Sequence, residues 1–164
     1  MEFLDIVNKD GKKTGLVCER GKVHDLNLLH WEVVVFIVND KGEILLQKRS
    51  ANKRFYPNKY ALLSGLVISG ETIEEAAKRE IKEELGLEIN ISDLNVMEEN
   101  LALTRIFYVK CNYKESDFKI QKSEISEVMW YNIDTIIDMI NSNDSSIIIK
   151  KDRIYLLERL KKMK

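Results

Sequence analysis

The segment of residues 65–87, GLVISGETIEEAAKREIKEELGL, restricts the fold more than any other part of the chain. Thr72 and Glu75 form a capping-box pair, whose side chains satisfy the open backbone N–H groups at the start of a helix. Gly86 supplies a residue that readily adopts the left-handed conformation with which many helices end. The segment therefore predicts a loop and then a helix that begins after Thr72 and ends at Gly86.

One face of this helix is apolar, and three acidic residues crowd its edge. Small or aliphatic side chains recur every four residues, which predicts a face that packs on a sheet: Ile73, Ala77, Ile81 and Leu85. At about 100° per residue, Glu84 and Glu80 project beside this face and Glu83 projects on its flank. A helix that only presented charge to solvent would carry these acids on the opposite side.

The crowding of Glu80, Glu83 and Glu84 requires an explanation because like charges repel. Each pair three or four residues apart costs about 0.2–0.5 kcal/mol on an exposed helix. A hard divalent cation offsets this repulsion, because it binds several carboxylate oxygens at once. It usually takes its remaining oxygen ligands from water and substrate phosphates. The cluster therefore predicts a metal site, and the alternative is an ordinary charged surface helix.

The rest of the chain alternates between strand and helix patterns. Residues 33–38 and 44–46 are β-branched or aliphatic runs around Asn39-Asp40-Lys41-Gly42, which predicts an antiparallel hairpin. Two turn signals in the first thirty residues predict a hairpin or two extended segments. Further strands are expected near residues 60–63, 87–97 and 101–110, and helices within residues 133–141 and 147–163. The pattern indicates a mixed α/β fold.

Length and charge limit the domain count and the class of partner. The 164 residues fit one domain, residues 1–164. With 26 basic and 27 acidic residues, the chain has a net charge of only -1, so no long-range electrostatic attraction draws it to nucleic acid or to a membrane. The sequence shows neither a signal-peptide pattern nor an apolar stretch of membrane-spanning length, so we expect a cytoplasmic protein with a small-molecule partner. The distant Cys18 and Cys111 fit reduced thiols.

The loop and helix resemble the signature of the Nudix hydrolases, G-x5-E-x7-R-E-U-x-E-E-x-G-U, where U is a bulky aliphatic residue. All nine specified positions match: Gly65, Glu71, Arg79, Glu80, Ile81, Glu83, Glu84, Gly86 and Leu87. The resemblance implies a Nudix-type α/β/α sandwich with a mixed β-sheet, and hydrolysis of a pyrophosphate linkage in a nucleoside diphosphate derivative. It also implies Mg²⁺ or Mn²⁺ as cofactor and is compatible with a homodimer.

The resemblance assigns roles to residues of the signature. Glu83 and Glu84 resemble the principal metal ligands, and Glu80 resembles a further ligand or the base that activates water. The backbone carbonyl of Ser64 resembles another ligand. Arg79 is similar to the residue that orients these carboxylates, and we group it with the catalytic residues.

Residues 1–90 resemble one branch in particular, the type 1 isopentenyl diphosphate isomerases and their hydrolase relatives. Those isomerases carry a catalytic cysteine immediately before the signature glycine and a metal-binding histidine immediately after it. This chain has Ser64 and Leu66 there. Because a serine hydroxyl holds its proton far more tightly than a thiol does, the exchange argues against isomerase chemistry. The isomerase and a non-catalytic nucleotide-sensing module remain the alternatives to a hydrolase.

Residues outside the helix complete the expected site. Arg49 and Lys53 resemble diphosphate contacts of that branch, and we group them with Gly65 and the supporting acid Glu71 as substrate-binding residues. His24 and His30 are interpreted as structural histidines near the pocket. Four later acids compete to complete the metal shell or to act as base: Glu98, Glu99, Glu124 and Glu127. We place Glu124 with the catalytic residues, although the sequence does not decide among the four.

Overall fold

The architecture was analysed in a computed structural model that describes residues 1–163. The described chain contains nine strands: β1 (Phe3–Val7), β2 (Lys13–Glu19), β3 (Glu32–Val38), β4 (Glu43–Arg49), β5 (Tyr60–Ala61), β6 (Leu63–Leu66), β7 (Asn95–Leu101), β8 (Thr104–Lys110) and β9 (Ile125–Asn132). Its three α-helices are α1 (Ile73–Leu85), α2 (Ile133–Asn141) and α3 (Ile154–Lys162). The predicted mixture of strands and helices is confirmed.

Seven of the strands form one mixed sheet. Its main order is β5-β4-β3-β8-β7, and β6 and β9 pair with β3 and β4, respectively. The central strand β3 runs parallel to β8, and the other pairs of this sheet are antiparallel. Strands β1 and β2 form a separate antiparallel pair, as the turn signals near the N-terminus predicted.

Helices cover both faces of the large sheet, and the alternation of β3 explains this arrangement. Val33, Val35 and Ile37 project into the hydrophobic cluster under α1. Val34, Phe36 and Val38 project the other way, into the cluster with α2 and α3. Since successive residues of a strand point to opposite faces, one apolar run serves both layers. The predicted α/β/α sandwich is confirmed.

Local predictions hold where the signals are local. The hairpin of residues 33–38 and 44–46 is β3 and β4, with Val38 opposite Ile44. The strand predicted near residues 87–97 begins later than expected, at Asn95. A short 3₁₀ turn precedes it, in which the Asp93 carboxylate accepts a hydrogen bond from the Asn90 N–H at 2.8 Å.

The C-terminal helix also begins later than predicted. Residues 147–153 do not belong to the α-helix, which starts at Ile154. The Ser146 carbonyl accepts a hydrogen bond from Tyr60 N–H at 2.7 Å, and Ile148 N–H donates to the Tyr60 carbonyl at 3.0 Å. These bonds hold residues 146–148 against β5, and a 3₁₀ turn at Lys151–Arg153 follows before the α-helix begins. Among residues 1–163, the longest helices fall short of the length and apolar character needed to cross a membrane.

Candidate active site

Helix α1 places the acidic cluster, and its two ends are fixed as the sequence predicted. Thr72 accepts a hydrogen bond from Glu75 N–H at 3.1 Å, and the Glu75 carboxylate accepts one from Thr72 N–H at 2.8 Å. Gly86 ends the helix in the left-handed conformation, with φ 66° and its N–H bonded to the Lys82 carbonyl. The two caps fix where the helix begins and where it ends.

The helix buries two of its glutamates together with its apolar face. Ala77, Ile81 and Leu85 are at most 1% exposed and pack on the sheet. Glu80 and Glu84 are only 6% and 8% exposed, although both are acids. The expectation that these acids lie at the edge of the core is confirmed.

Arg79 gathers the carboxylates of the signature around one guanidinium group. Its Nε and Nη2 atoms donate to the two oxygens of Glu71 at 2.5 and 3.1 Å. Its Nη1 atom donates to Glu80 at 2.7 Å and to Glu83 at 3.3 Å, and Nη2 also reaches the Leu66 carbonyl at 2.9 Å. Burial alone would lower the pKa of Arg79, but the bonds with Glu71 and Glu80 raise it. The arginine stays charged and orients its acidic partners.

Glu71 lies behind Arg79, on the side away from Glu80 and Glu83. One of its oxygens accepts a hydrogen bond from Ile68 N–H at 2.9 Å, and both are bonded to Arg79. The side chain lines a separate cleft beside Trp31. Its position is that of a supporting acid of the signature loop, and its role in substrate binding stays a prediction.

Most of the candidate residues meet in one cavity of about 380 Å³ beside α1. We call it the carboxylate cavity. Eight residues assigned from the sequence line it: Arg49, Lys53, Ser64, Gly65, Glu80, Glu83, Glu84 and Glu124. His24 and His30 also line it, with ring centroids 5.7 Å apart in an edge-to-face arrangement, and burial lowers the pKa of His30.

Glu84 is the most strongly perturbed acid of the carboxylate cavity. Burial, followed by the charges of Glu80 and Glu124, raises the pKa of Glu84 to about 8. Lys53 and a hydrogen bond from Gln47 at 3.2 Å oppose this shift. Burial likewise raises the pKa of Glu80, against the hydrogen bond from Arg79. A buried acid in a cleft with such a shift is a candidate for a functional site.

The donor set of the carboxylate cavity fits a hard divalent cation. Glu80, Glu83 and Glu84 offer carboxylate oxygens, the ligand type that Mg²⁺ and Mn²⁺ prefer. Within residues 1–163, no three His, Cys, Asp or Glu side chains are grouped closely enough to hold an ion by themselves. Further oxygens would come from backbone, water or substrate, which is common for magnesium sites.

The structure separates the four later acids that the sequence did not distinguish. Glu124 lines the carboxylate cavity and pairs with the Lys53 ammonium group. Glu127 instead accepts a hydrogen bond from the Tyr60 hydroxyl. Glu98 and Glu99 lie on β7 at the edge of the sheet. Glu98 accepts a hydrogen bond from the Tyr155 hydroxyl at 3.0 Å, and Glu99 forms an ion pair with Arg105 of β8.

Two polar residues near the site were missed by the sequence analysis. Gln47 is 6% exposed on β4 and donates to both the Leu62 carbonyl and Glu84, each at 3.2 Å. Its signal was a lone amide directly after the apolar residues 44–46. Glu32 opens β3 and lines the carboxylate cavity, and burial raises its pKa. No spacing in the sequence connects Glu32 with the acidic helix.

Comparison with known proteins identifies the family. The NUDIX domain model matches residues 28–150. An uncharacterized Nudix hydrolase of Listeria monocytogenes is 33% identical over 133 residues, 77% of this chain and 78% of that protein. The NAD-capped RNA hydrolase NudC of Pseudomonas aeruginosa is 26% identical over 120 residues, 73% of this chain and 42% of that protein.

A crystal structure of a protein from Deinococcus radiodurans has a TM-score of 0.75 and 25% identity, covering 97% of this chain and 99% of that one. Hydrolysis of pyrophosphate-containing substrates and a need for divalent metal ions are general to Nudix hydrolases. The chain therefore belongs to the Nudix hydrolase family and is a pyrophosphohydrolase that acts on phosphorus-containing substrates.

Proposed function

We propose that this enzyme hydrolyses the pyrophosphate linkage of a nucleoside diphosphate derivative with the help of Mg²⁺ or Mn²⁺. The observation that carries the proposal is the composition of the carboxylate cavity, which joins acidic and basic side chains. Glu80, Glu83 and Glu84 lie there together with Arg49 and Lys53. A pyrophosphate needs metal ions on some of its oxygens and cationic donors on others.

Glu80, Glu83, Glu84 and the backbone carbonyl of Ser64 would hold the metal ion. When bound, the ion lowers the pKa of a water molecule and offsets the charge that builds on phosphorus. The pKa of Glu84, about 8 in the metal-free protein, supports this assignment, because a buried carboxylate becomes favourable once a cation balances it.

The protein's own side chains would bind the diphosphate and handle the proton. Arg49 and Lys53 donate to phosphate oxygens, and Arg79 keeps Glu80 and Glu83 in position. Glu124 or Glu80 accepts the proton of the attacking water. In-line attack on phosphorus then breaks the P–O–P linkage, and the products are a nucleoside monophosphate and the phosphorylated remainder.

The location of Glu124 supports its choice as the base among the four later acids. It is the member of that group that lines the carboxylate cavity, and its partner Lys53 is a proposed phosphate contact. Substrate that draws Lys53 to its phosphate oxygens would release Glu124 to accept a proton. A positioned base of this kind contributes about 10²- to 10⁴-fold to the rate.

A substrate panel tests the proposal. It contains nucleoside di- and triphosphates, nucleoside diphosphate sugars, dinucleotides, NADH and prenyl diphosphates, each assayed with Mg²⁺ and with Mn²⁺. We expect metal-dependent release of a nucleoside monophosphate from at least one nucleoside diphosphate derivative. Conversion of isopentenyl diphosphate without cleavage would indicate the isomerase, and binding without turnover would indicate a sensing module.

Two matched double variants accompany the panel. Glu83→Gln/Glu84→Gln removes two proposed ligands, and we expect turnover to disappear. Glu98→Gln/Glu99→Gln makes the same chemical change on β7, outside the carboxylate cavity, and we expect turnover to persist. Unchanged turnover in the first variant contradicts the site assignment.

Five further features of the protein stay predictions: the single domain, the cytoplasmic location, the lack of nucleic-acid or membrane partners, the homodimer and the isomerase-like branch.

A further inference from the structure

A second cavity of about 600 Å³ lies beside the carboxylate cavity. Glu32, Arg49 and Ser64 line both, so the two spaces are neighbours across these residues. The second cavity extends from the loop after β4 to the segment before α3, where residues 147–150 and Arg153 line it. Its volume lies in the range that holds a small ligand.

The floor of this second cavity is apolar and its rim is basic. Val34, Leu62 and Ile147 form the floor, each 7–8% exposed. Three lining residues carry a positive charge, namely Arg49, Lys150 and Arg153, and Glu32 is the one lining acid. A ligand with an apolar or flat body and an anionic end matches this distribution.

The Arg153 guanidinium contains a buried hydrogen-bond donor that no other residue of the described chain satisfies. Among residues 1–163, its Nη1 atom is the one buried side-chain nitrogen or oxygen atom without a hydrogen-bond partner. Asp152 Oδ1 lies 3.1 Å away but is not aligned for a hydrogen bond. The Arg153 side chain is 12% exposed. Arg153 also lines the second cavity, so a ligand there meets a guanidinium group whose hydrogen-bond donors the chain uses only in part.

We propose that the second cavity recognises an anionic group, a phosphate or a carboxylate, on the part of the substrate beyond the diphosphate, and that Arg153 selects for it. This inference rests on the proposed function, which places the diphosphate in the carboxylate cavity. A substrate bound there extends past Ser64 and Arg49 into the second cavity. The guanidinium fork suits the oxygens of either anion.

Lys150 adds to the selection as a second positive charge. It lines the same cavity and is exposed at its rim, where an ammonium group attracts an anion without fixing its orientation. Lys151, the next residue, is equally exposed and is not among the lining residues. This pair of neighbouring lysines provides a matched control for charge.

Matched ligand pairs test the inference by isothermal titration calorimetry in a chelating buffer, where no metal-dependent turnover interferes. NADPH and NADH differ by one phosphate, and so do coenzyme A and dephospho-coenzyme A. UDP-glucuronate with UDP-glucose differs by one carboxylate. In at least one pair, we expect the ligand with the additional phosphate or carboxylate to bind about tenfold more tightly than its partner. This factor is the value of one charge-assisted hydrogen bond. The pair that shows the preference identifies the recognised group as a phosphate or as a carboxylate.

Variants assign the preference to Arg153. Arg153→Gln should reduce the ratio of the two dissociation constants to within about threefold of unity, and Arg153→Lys should retain part of it. Lys150→Gln should lower the ratio, whereas Lys151→Gln should leave it unchanged. Thermal unfolding of Arg153→Gln should match the wild-type protein, because the variant removes an unsatisfied donor. A large fall in its Tm would instead indicate a structural role.

The outcomes separate this inference from the proposed function. Equal affinities within every pair, no measurable binding of any member, or a preference that survives in Arg153→Gln would overturn the selection by Arg153. A preference that depends on Arg153 in a protein that hydrolyses none of the panel would retain the inference about the cavity and reject the proposed reaction.

Discussion

Gly65 lies so close to Glu80 that a Cβ atom on the glycine would stand 2.2 Å from the Glu80 Cδ atom. The backbone of Gly65 has no room to retreat, because it pairs with Val33 of the central strand. On its other side, Glu80 is held by Arg79 Nη1 at 2.7 Å. The glycine of the signature therefore makes room for a buried carboxylate that the arginine orients.

We predict that Gly65→Ala displaces Glu80 and impairs catalysis. The added methyl group should cost about 1–3 kcal/mol of unfolding free energy through overpacking. A displacement of about 1 Å in a catalytic group lowers kcat about 100-fold. Urea unfolding and steady-state kinetics measure the two effects. Gly21→Ala is the control, since nothing lies within 4 Å of a Cβ atom there, and wild-type activity in Gly65→Ala would refute the packing argument.

The guanidinium fork of Arg79 should not be replaceable by an ammonium group. Arg79→Lys loses the paired bonds to Glu71 and the bond to the Leu66 carbonyl, so we expect a loss of about 1.5–3 kcal/mol in stability. We also expect a clear fall in kcat, because Glu80 and Glu83 lose their common partner.

Arg105→Lys is the matched control for that experiment. Arg105 is 21% exposed against 20% for Arg79 and binds Glu74 and Glu99, away from the carboxylate cavity. Its replacement should lower stability without changing kcat. Equal kinetic effects of the two substitutions would show that Arg79 acts only through general stability.

Glu84 should make the metal-free protein less stable as the pH rises from about 4.5 to about 8. The pKa of Glu84 is about 8 in the folded protein, against its ordinary 4.5, so the folded state retains a proton that the unfolded chain has released. The unfolding free energy then falls with pH, by at most about 1.4 kcal/mol per pH unit for one group.

Glu84→Gln removes this titrating group and should flatten the pH dependence. Urea unfolding of both proteins in a chelating buffer, at several pH values across the window, measures the difference. Glu80 and Glu32 also have raised pKa values and contribute to the slope that remains. Identical slopes in the two proteins would refute the assignment of the titration to Glu84.

Two nearby acids on the same stretch of chain test the choice of base. Glu124→Gln should lower kcat about 10²- to 10⁴-fold, as the loss of a general base does, with a smaller change in KM. Glu127→Gln makes the same change on a side chain that bonds the Tyr60 hydroxyl, and kcat should be nearly unchanged. The reverse pattern would move the role of base to Glu127, and no effect of either would favour Glu80.

The sequence predicted helix α1 and its acidic edge because their signals are local. The capping pair Thr72 and Glu75, the stop at Gly86 and the four-residue apolar repeat are all encoded within one helix. The burial of Glu80 and Glu84 followed from the same periodicity. The strands of the β3–β4 hairpin are equally local, since a turn joins two β-branched runs.

Features that depend on distant contacts could not be predicted in the same way. The segment before α3 is held by backbone bonds to Tyr60, almost ninety residues earlier in the chain. The partner of each later acid, such as Lys53 for Glu124, depends on the sheet order and not on spacing. The cavity that Arg153 lines has its other walls on strands β3, β4, β5, β6 and β8 and on the β4–β5 loop, and the sequence does not show that these elements meet.

The most direct test of the central claim is the affinity for Mn²⁺, measured by isothermal titration calorimetry without substrate. If Glu80, Glu83 and Glu84 hold the cation, the wild-type protein and Glu98→Gln/Glu99→Gln bind it equally, and Glu83→Gln/Glu84→Gln binds it at least about tenfold more weakly. Equal Mn²⁺ affinity in all three proteins, or no binding heat in the wild-type protein, would contradict a metal site on α1.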